Sequence, residues 1–98
     1  MNFSLSFSPN AKQSLKELKN STNLEKRFKA VSKVLKFLAD NPRHPSLQTH
    51  QYSSFTGPNG EKGFEAYAEQ DTPAAYRIFF YYGRTRQEIM IFAITPHP

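Results

Sequence analysis

Phe3, Leu5 and Phe7 alternate with Ser4, Ser6 and Ser8, the two-residue period of a strand with one buried face. Ser8-Pro9 follows: a hydroxyl that can cap a helix, then an imide that fits the first turn because its missing N–H would find no partner there. The spacing predicts a helix over 9–20, with Ala11, Leu15 and Leu18 on one face, Lys12, Lys16 and Lys19 on another, and Asn20-Ser21 as its end. Thr22-Asn23-Leu24-Glu25 has the form of a capping box, and Leu24, Phe28, Val31, Leu35 and Leu38 then recur at spacings of four and three. This longest periodic run predicts a second helix over 23–40, stopped by Pro42 and Pro45. An antiparallel hairpin with the first helix is more economical than a coiled coil, since barely two heptads fit.

Residues 46–60 are polar with turn signals, and Gly57-Pro58-Asn59-Gly60 reads as a loop or hairpin tip. Phe64, Ala66 and Ala68 alternate with Glu65, Tyr67 and Glu69, a strand closed by the turn residues Asp71-Thr72-Pro73. Tyr76, Ile78, Phe80 and Tyr82 then alternate with Arg77, Phe79 and Tyr81, and Glu88 to Ile94 is a nearly continuous apolar strand. The order strand, helix, helix, three strands implies a two-layer α+β domain, β-α-α-β-β-β, with a helical hairpin on one face of an antiparallel sheet. Residues 1–98 form one domain on this reading, with Leu24, Phe28, Val31, Leu35, Ile78 and Phe80 buried together.

Nine Phe and five Tyr among 98 residues supply enough apolar area for a core and exclude a disordered chain. The absence of cysteine excludes disulfides, thiolate metal sites and a cysteine nucleophile. Residues 1–7 lack a basic start and an apolar run, and no stretch reaches the roughly 18 apolar residues that cross a bilayer. A cytoplasmic protein without membrane contact is therefore expected. No glycine-rich nucleotide loop and no H-E-x-x-H motif occurs, so no cofactor is implied. His44, His50 and His97 are the only histidines, and nothing in their spacing requires a metal.

The net charge of +5 is unevenly placed. Residues 1–43 carry nine Lys/Arg against Glu17, Glu25 and Asp40, a balance of +6, whereas residues 44–98 carry Lys62, Arg77, Arg84 and Arg86 against five acids. Lys26, Lys29, Lys33 and Lys36 form a continuous stripe on the second helix. Such a stripe suits a polyanion or an acidic partner, and it is also what an ordinary solvated helix face looks like.

Alternation sends Arg77 to the sheet face opposite Ile78, beside Phe79 and Tyr81, where a guanidinium among rings suits phosphate and bases. A cross-strand pair with Glu65 or Glu69 is the structural alternative, favoured about two to one on residue type alone. Tyr76-Arg77-Ile78-Phe79-Phe80 resembles a strand of the RelE/ParE superfamily of toxins: tyrosine or histidine, arginine, two aliphatics, tyrosine. In the order of elements the resemblance spans nearly the whole chain. It implies that Arg77 contacts a scissile phosphate. It implies further that His97, just past the last strand, is a catalytic histidine, and that His44-Pro45 and His50 border the active face.

The implied activity is that of a metal-independent, ribosome-dependent mRNA endoribonuclease, in which a 2′-hydroxyl attacks the adjacent phosphate in line. Catalytic candidates are Arg77, His97, His50 and His44, and RNA-binding candidates are Lys62, Arg84, Arg86, Lys26, Lys29, Lys33 and Lys36. The implied partners are a cognate antitoxin, the ribosome and mRNA; the oligomeric state is left open. The acids of the strand half depart from the basic RNA groove of such nucleases. They leave a second reading: a non-catalytic protein of the same fold, acting on gyrase or serving as a regulatory RNA- or protein-binding module.

Overall fold

The computed structural model describes residues 2–69, 75–85 and 87–96. Strand β1 (Ser4–Phe7) leads into helix α1 (Pro9–Asn20), and a 3-10 turn at Thr22–Leu24 leads into helix α2 (Glu25–Asp40). Strands β2 (His50–Thr56), β3 (Lys62–Tyr67), β4 (Tyr76–Tyr82) and β5 (Glu88–Pro96) complete the domain. They form one sheet in the order β1-β5-β4-β3-β2. The expected turn at Asp71-Thr72-Pro73 lies outside the described residues.

Two features differ from the sequence reading, and they share one cause. His50–Thr56 is a strand, paired antiparallel to β3, where only turn signals were legible. Its apolar residues Tyr52 and Phe55 are three apart because the register shifts between Gln51 and Thr56, so the alternation that marks a strand is broken. With successive elements running antiparallel, one additional strand reverses the direction in which the chain returns. Thus β5 comes back parallel to β1, with Leu5 beside Ile89 and Phe7 beside Ile91, and the sheet is mixed.

The helices cover one face of this sheet. Leu18 of α1, Val31, Leu35 and Leu38 of α2, and Ile78, Phe80, Ile89, Ile91 and Ile94 of the central strands form a single buried cluster. Leu24 and Phe28 pack against its margin, half-buried, instead of joining its interior. The capping box is not made either: the 3-10 turn precedes α2, whose N-terminus has no side-chain cap.

Ser8 joins two elements. Its hydroxyl accepts from the Ala11 amide at 3.0 Å and donates at 2.7 Å to the carbonyl of Phe92. Phe92 is the extra residue of a bulge, since Phe79 pairs with Ala93 while Phe80 pairs with Ile91. Its carbonyl is therefore available to a side-chain donor. Ser8→Ala removes both bonds and is expected to lower unfolding free energy by about 1–2 kcal/mol, the loss of a helix cap, measurable by urea titration.

Candidate functional site

On the face away from the helices, the outer surface of the sheet divides into an aromatic half and a polar half. The Tyr52 ring of β2 lies tilted 4.9 Å from that of Phe79 of β4, and Phe55 reaches over Gly63 to stack at 4.1 Å on Phe92 of β5. This inward curl of β2 buries Phe79, although it points away from the helices. A side chain at residue 63 would occupy the space of the Phe55 ring, so glycine is required there by close approach. The hairpin tip also needs a glycine, Gly60, at a φ of 84°.

The polar half is built on Glu65, a carboxylate only 2% exposed. Arg77 Nη1 donates to its Oε2 at 2.8 Å, and His50 Nε2 lies 2.8 Å from its Oε1. The Tyr67 phenol hydrogen-bonds to the same carboxylate; burial first, then Glu65 by hydrogen bond and charge, raise its pKa above the ordinary tyrosine value against the opposing charge of Arg77. Strand pairing explains the convergence: His50 faces Glu65 across β2–β3, and Tyr67 faces Arg77 across β3–β4.

His50 is held from its other side by the Gln48 carbonyl, 3.1 Å from Nδ1. Gln48 is left-handed, with φ of 48°, a conformation uncommon outside glycine. Both ring nitrogens of His50 thus face oxygen acceptors. The Arg77 guanidinium lies 5.0 Å from the Phe79 ring centroid. Its Nε is buried without a hydrogen-bond partner.

The candidates named from sequence are thus only partly brought together. Arg77 and His50 share Glu65. His44 is elsewhere: it stacks on Phe37 of α2 at 4.7 Å, accepts from the Ser46 amide at Nδ1, and lines a cleft with Phe64 and Tyr82, which pack with Phe80 on the helix side of the sheet. His97 and Arg86 lie outside the described residues. Thr95, two residues before His97, is the strand partner of Arg77. Lys26, Lys29, Lys33 and Lys36 are all exposed along α2, with Lys29 3.5 Å from Glu25. Lys62 and Arg84 are exposed at the same end of the β3–β4 pair, where β3 begins and β4 ends.

Glu65 is the group the sequence reading undervalued. It entered only as a possible mate for Arg77, yet it binds Arg77, His50 and Tyr67 together. The signal available was an acid at an alternating position of a strand, which most often marks a solvated face.

A helical hairpin laid across one face of such a sheet is the fold of the RelE/ParE toxins. The chain is similar to a chain of the archaeal RelE-RelB complex from Pyrococcus horikoshii OT3, with a TM-score of 0.65 and 11% identity over 98% of this chain and 96% of that one. It is similar to the YoeB/ParE toxin from Agrobacterium tumefaciens, with a TM-score of 0.70 and 6% identity over 98% of this chain and 100% of that one. It is also similar to a chain of the heterotetrameric YoeB-YefM toxin-antitoxin complex from Staphylococcus aureus, with a TM-score of 0.68 and 17% identity over the whole of both chains. At these identities the likeness is one of fold. No protein-family model matches the chain, and no curated protein matches it significantly.

Proposed function

We propose that this protein is the toxin of a toxin–antitoxin pair, a metal-independent endoribonuclease that cleaves mRNA on the ribosome in the cytoplasm and is held inactive by a cognate antitoxin. The observation that carries the reading is the cluster of Arg77, His50 and Tyr67 around buried Glu65, on the sheet face left open by the helices. The fold shared with RelE-RelB and YoeB-YefM supports the toxin class and the antitoxin partner.

Each group has a task in the cleavage. The attacking 2′-hydroxyl must lose a proton, the bond from phosphorus to the 5′-oxygen must break, and that oxygen must gain a proton. Arg77 neutralises the charge that grows on the phosphoryl oxygens. His50, with His97 as the second candidate, moves the protons. Glu65 is a positioning residue: with both oxygens engaged it fixes the guanidinium and the imidazole relative to each other.

Arg77→Ala is expected to lower mRNA cleavage in a translating extract by about 10²–10³, as loss of a transition-state charge donor does. It should also relieve growth arrest while the circular dichroism spectrum stays native. Wild-type protein that neither cleaves nor arrests growth refutes the nuclease. The Arg77–Glu65 pair favours one alternative, the non-catalytic toxin or binding module, because a guanidinium already matched by a carboxylate has less charge left for phosphate. Growth arrest that persists in Arg77→Ala with intact mRNA would select it.

The lysine stripe supplies a separate expectation. Reversing Lys26, Lys29, Lys33 and Lys36 to glutamate should weaken ribosome association and flatten its salt dependence, since each lost phosphate contact removes released counterions. Unaltered sedimentation with ribosomes across a salt series would leave the stripe as a solvated face.

A further inference from the structure

Three clefts join at the end of the domain where α2 stops and the β4–β5 turn projects. One, of about 920 Å³, is lined by Phe3, Asp40, Arg43, Tyr82 and Arg84, among others. It shares Phe3 and Asp40 with a neighbour containing Lys33 and Lys36. It shares Arg43 and Tyr82 with a third cleft that runs past His44 to Thr49. The result is one groove, separate from the Arg77 cluster because its floor, Phe64 and Tyr82, packs on the helix-facing side of the sheet.

Charge and rings alternate along this groove. Among the described residues, Lys33, Lys36, Arg43 and Arg84 form no ion pair with a carboxylate, and Asp40 is the one acid lining the clefts. Between the cations stand half-exposed rings: Phe3 lies 6.4 Å from Tyr82, and Phe37 lies beneath Lys33 at 5.8 Å. Arg43 also hydrogen-bonds the Tyr82 phenol, partly offsetting the rise in its pKa that burial causes. On the outer face, by contrast, Arg77 is already matched by Glu65.

A polyanion therefore gains more from the groove than from the outer face. Phosphates need guanidinium and ammonium groups at intervals, and unstacked bases need ring faces between them. A duplex hides its base faces, and an acidic protein uses only the charges. We propose that this groove binds a segment of single-stranded RNA. The inference rests on the RNA-directed reading above and adds where the strand lies.

The test uses purified full-length protein and a fluorescent eight-nucleotide 2′-O-methyl RNA, which cannot be cleaved. Binding is therefore read apart from cleavage and the variants assign it to the groove, while failure of the nuclease reading appears in the cleavage assay. The double variant Arg43→Glu/Arg84→Glu should bind at least tenfold more weakly, and its salt slope should fall by about 1.4, two phosphate contacts at about 0.7 each. Phe3→Leu, which keeps apolar volume but removes the ring, should weaken binding by about tenfold. Lys12→Glu/Lys19→Glu, an equal charge change on α1, should bind within about twofold of wild type. Equal loss in the α1 control and the groove variant would overturn the site. Binding of duplex RNA or a polyglutamate peptide as tight as that of the single strand would overturn the ligand class.

Discussion

Glu65→Ala is expected to lower unfolding free energy by about 3 kcal/mol, the lower end for breaking a buried ion pair, because His50 and Arg77 keep some contact with water. The carboxylate is 2% exposed and receives Arg77, His50 and Tyr67. Its removal strands a guanidinium whose side chain is only 18% exposed and whose Nε is already unpartnered. For a domain of 98 residues the loss corresponds to a fall in Tm of more than about 10 °C. Replacing both partners with apolar residues, Glu65→Leu/Arg77→Met, should recover most of it, since no charge is then left behind. If the single variant melts within about 2 °C of wild type, Glu65 does not organise this half of the sheet.

Gly63→Ala should be nearly as damaging, at about 2–3 kcal/mol, although it adds only a methyl group. The new Cβ would meet the Phe55 ring and stand 2.7 Å from the Phe55 carbonyl oxygen, backbone that cannot swing aside as a side chain can. The ring must then leave the sheet, breaking its stack on Phe92 and its contact with Tyr81 at 6.2 Å. In a Phe55→Ala background the cost of Gly63→Ala should fall by more than about 1 kcal/mol, the coupling expected of groups in contact. Equal costs in the two backgrounds, measured by urea denaturation, would show that the ring is not the obstacle. Since Phe55 pins the curled edge strand over the outer face, the outcome also tests what separates the aromatic half from the polar one.

Placement of the candidate site was legible where it depended on alternation along a single strand. Ile78 and Phe80 facing the helices sends Arg77 to the outer face, and Arg77 is found there, paired with Glu65 in the cross-strand arrangement that residue type alone favoured. His50 could not be placed the same way. Its strand shows no alternation, so neither its face nor its neighbour was readable, and only pairing with β3 brings it to Glu65. His44 and His50 are six residues apart in a segment read as loop, yet they belong to opposite sides of the sheet.

By itself the sequence determined the two helices, four of the five strands and most of the residues of the shared core. Those depend on local periodicity, since a spacing of three and four or of two fixes which side chains share a face. The tertiary structure alone decided the edge strand β2, the parallel return of β5 beside β1, and the joining of Arg43, Tyr82 and Arg84 with Lys33 and Lys36 into one groove. An edge strand is stabilised by a partner's backbone more than by its own side chains. The carboxylate at the centre of the polar cluster likewise takes its character from donors on two other strands, at distances along the chain that no local pattern records.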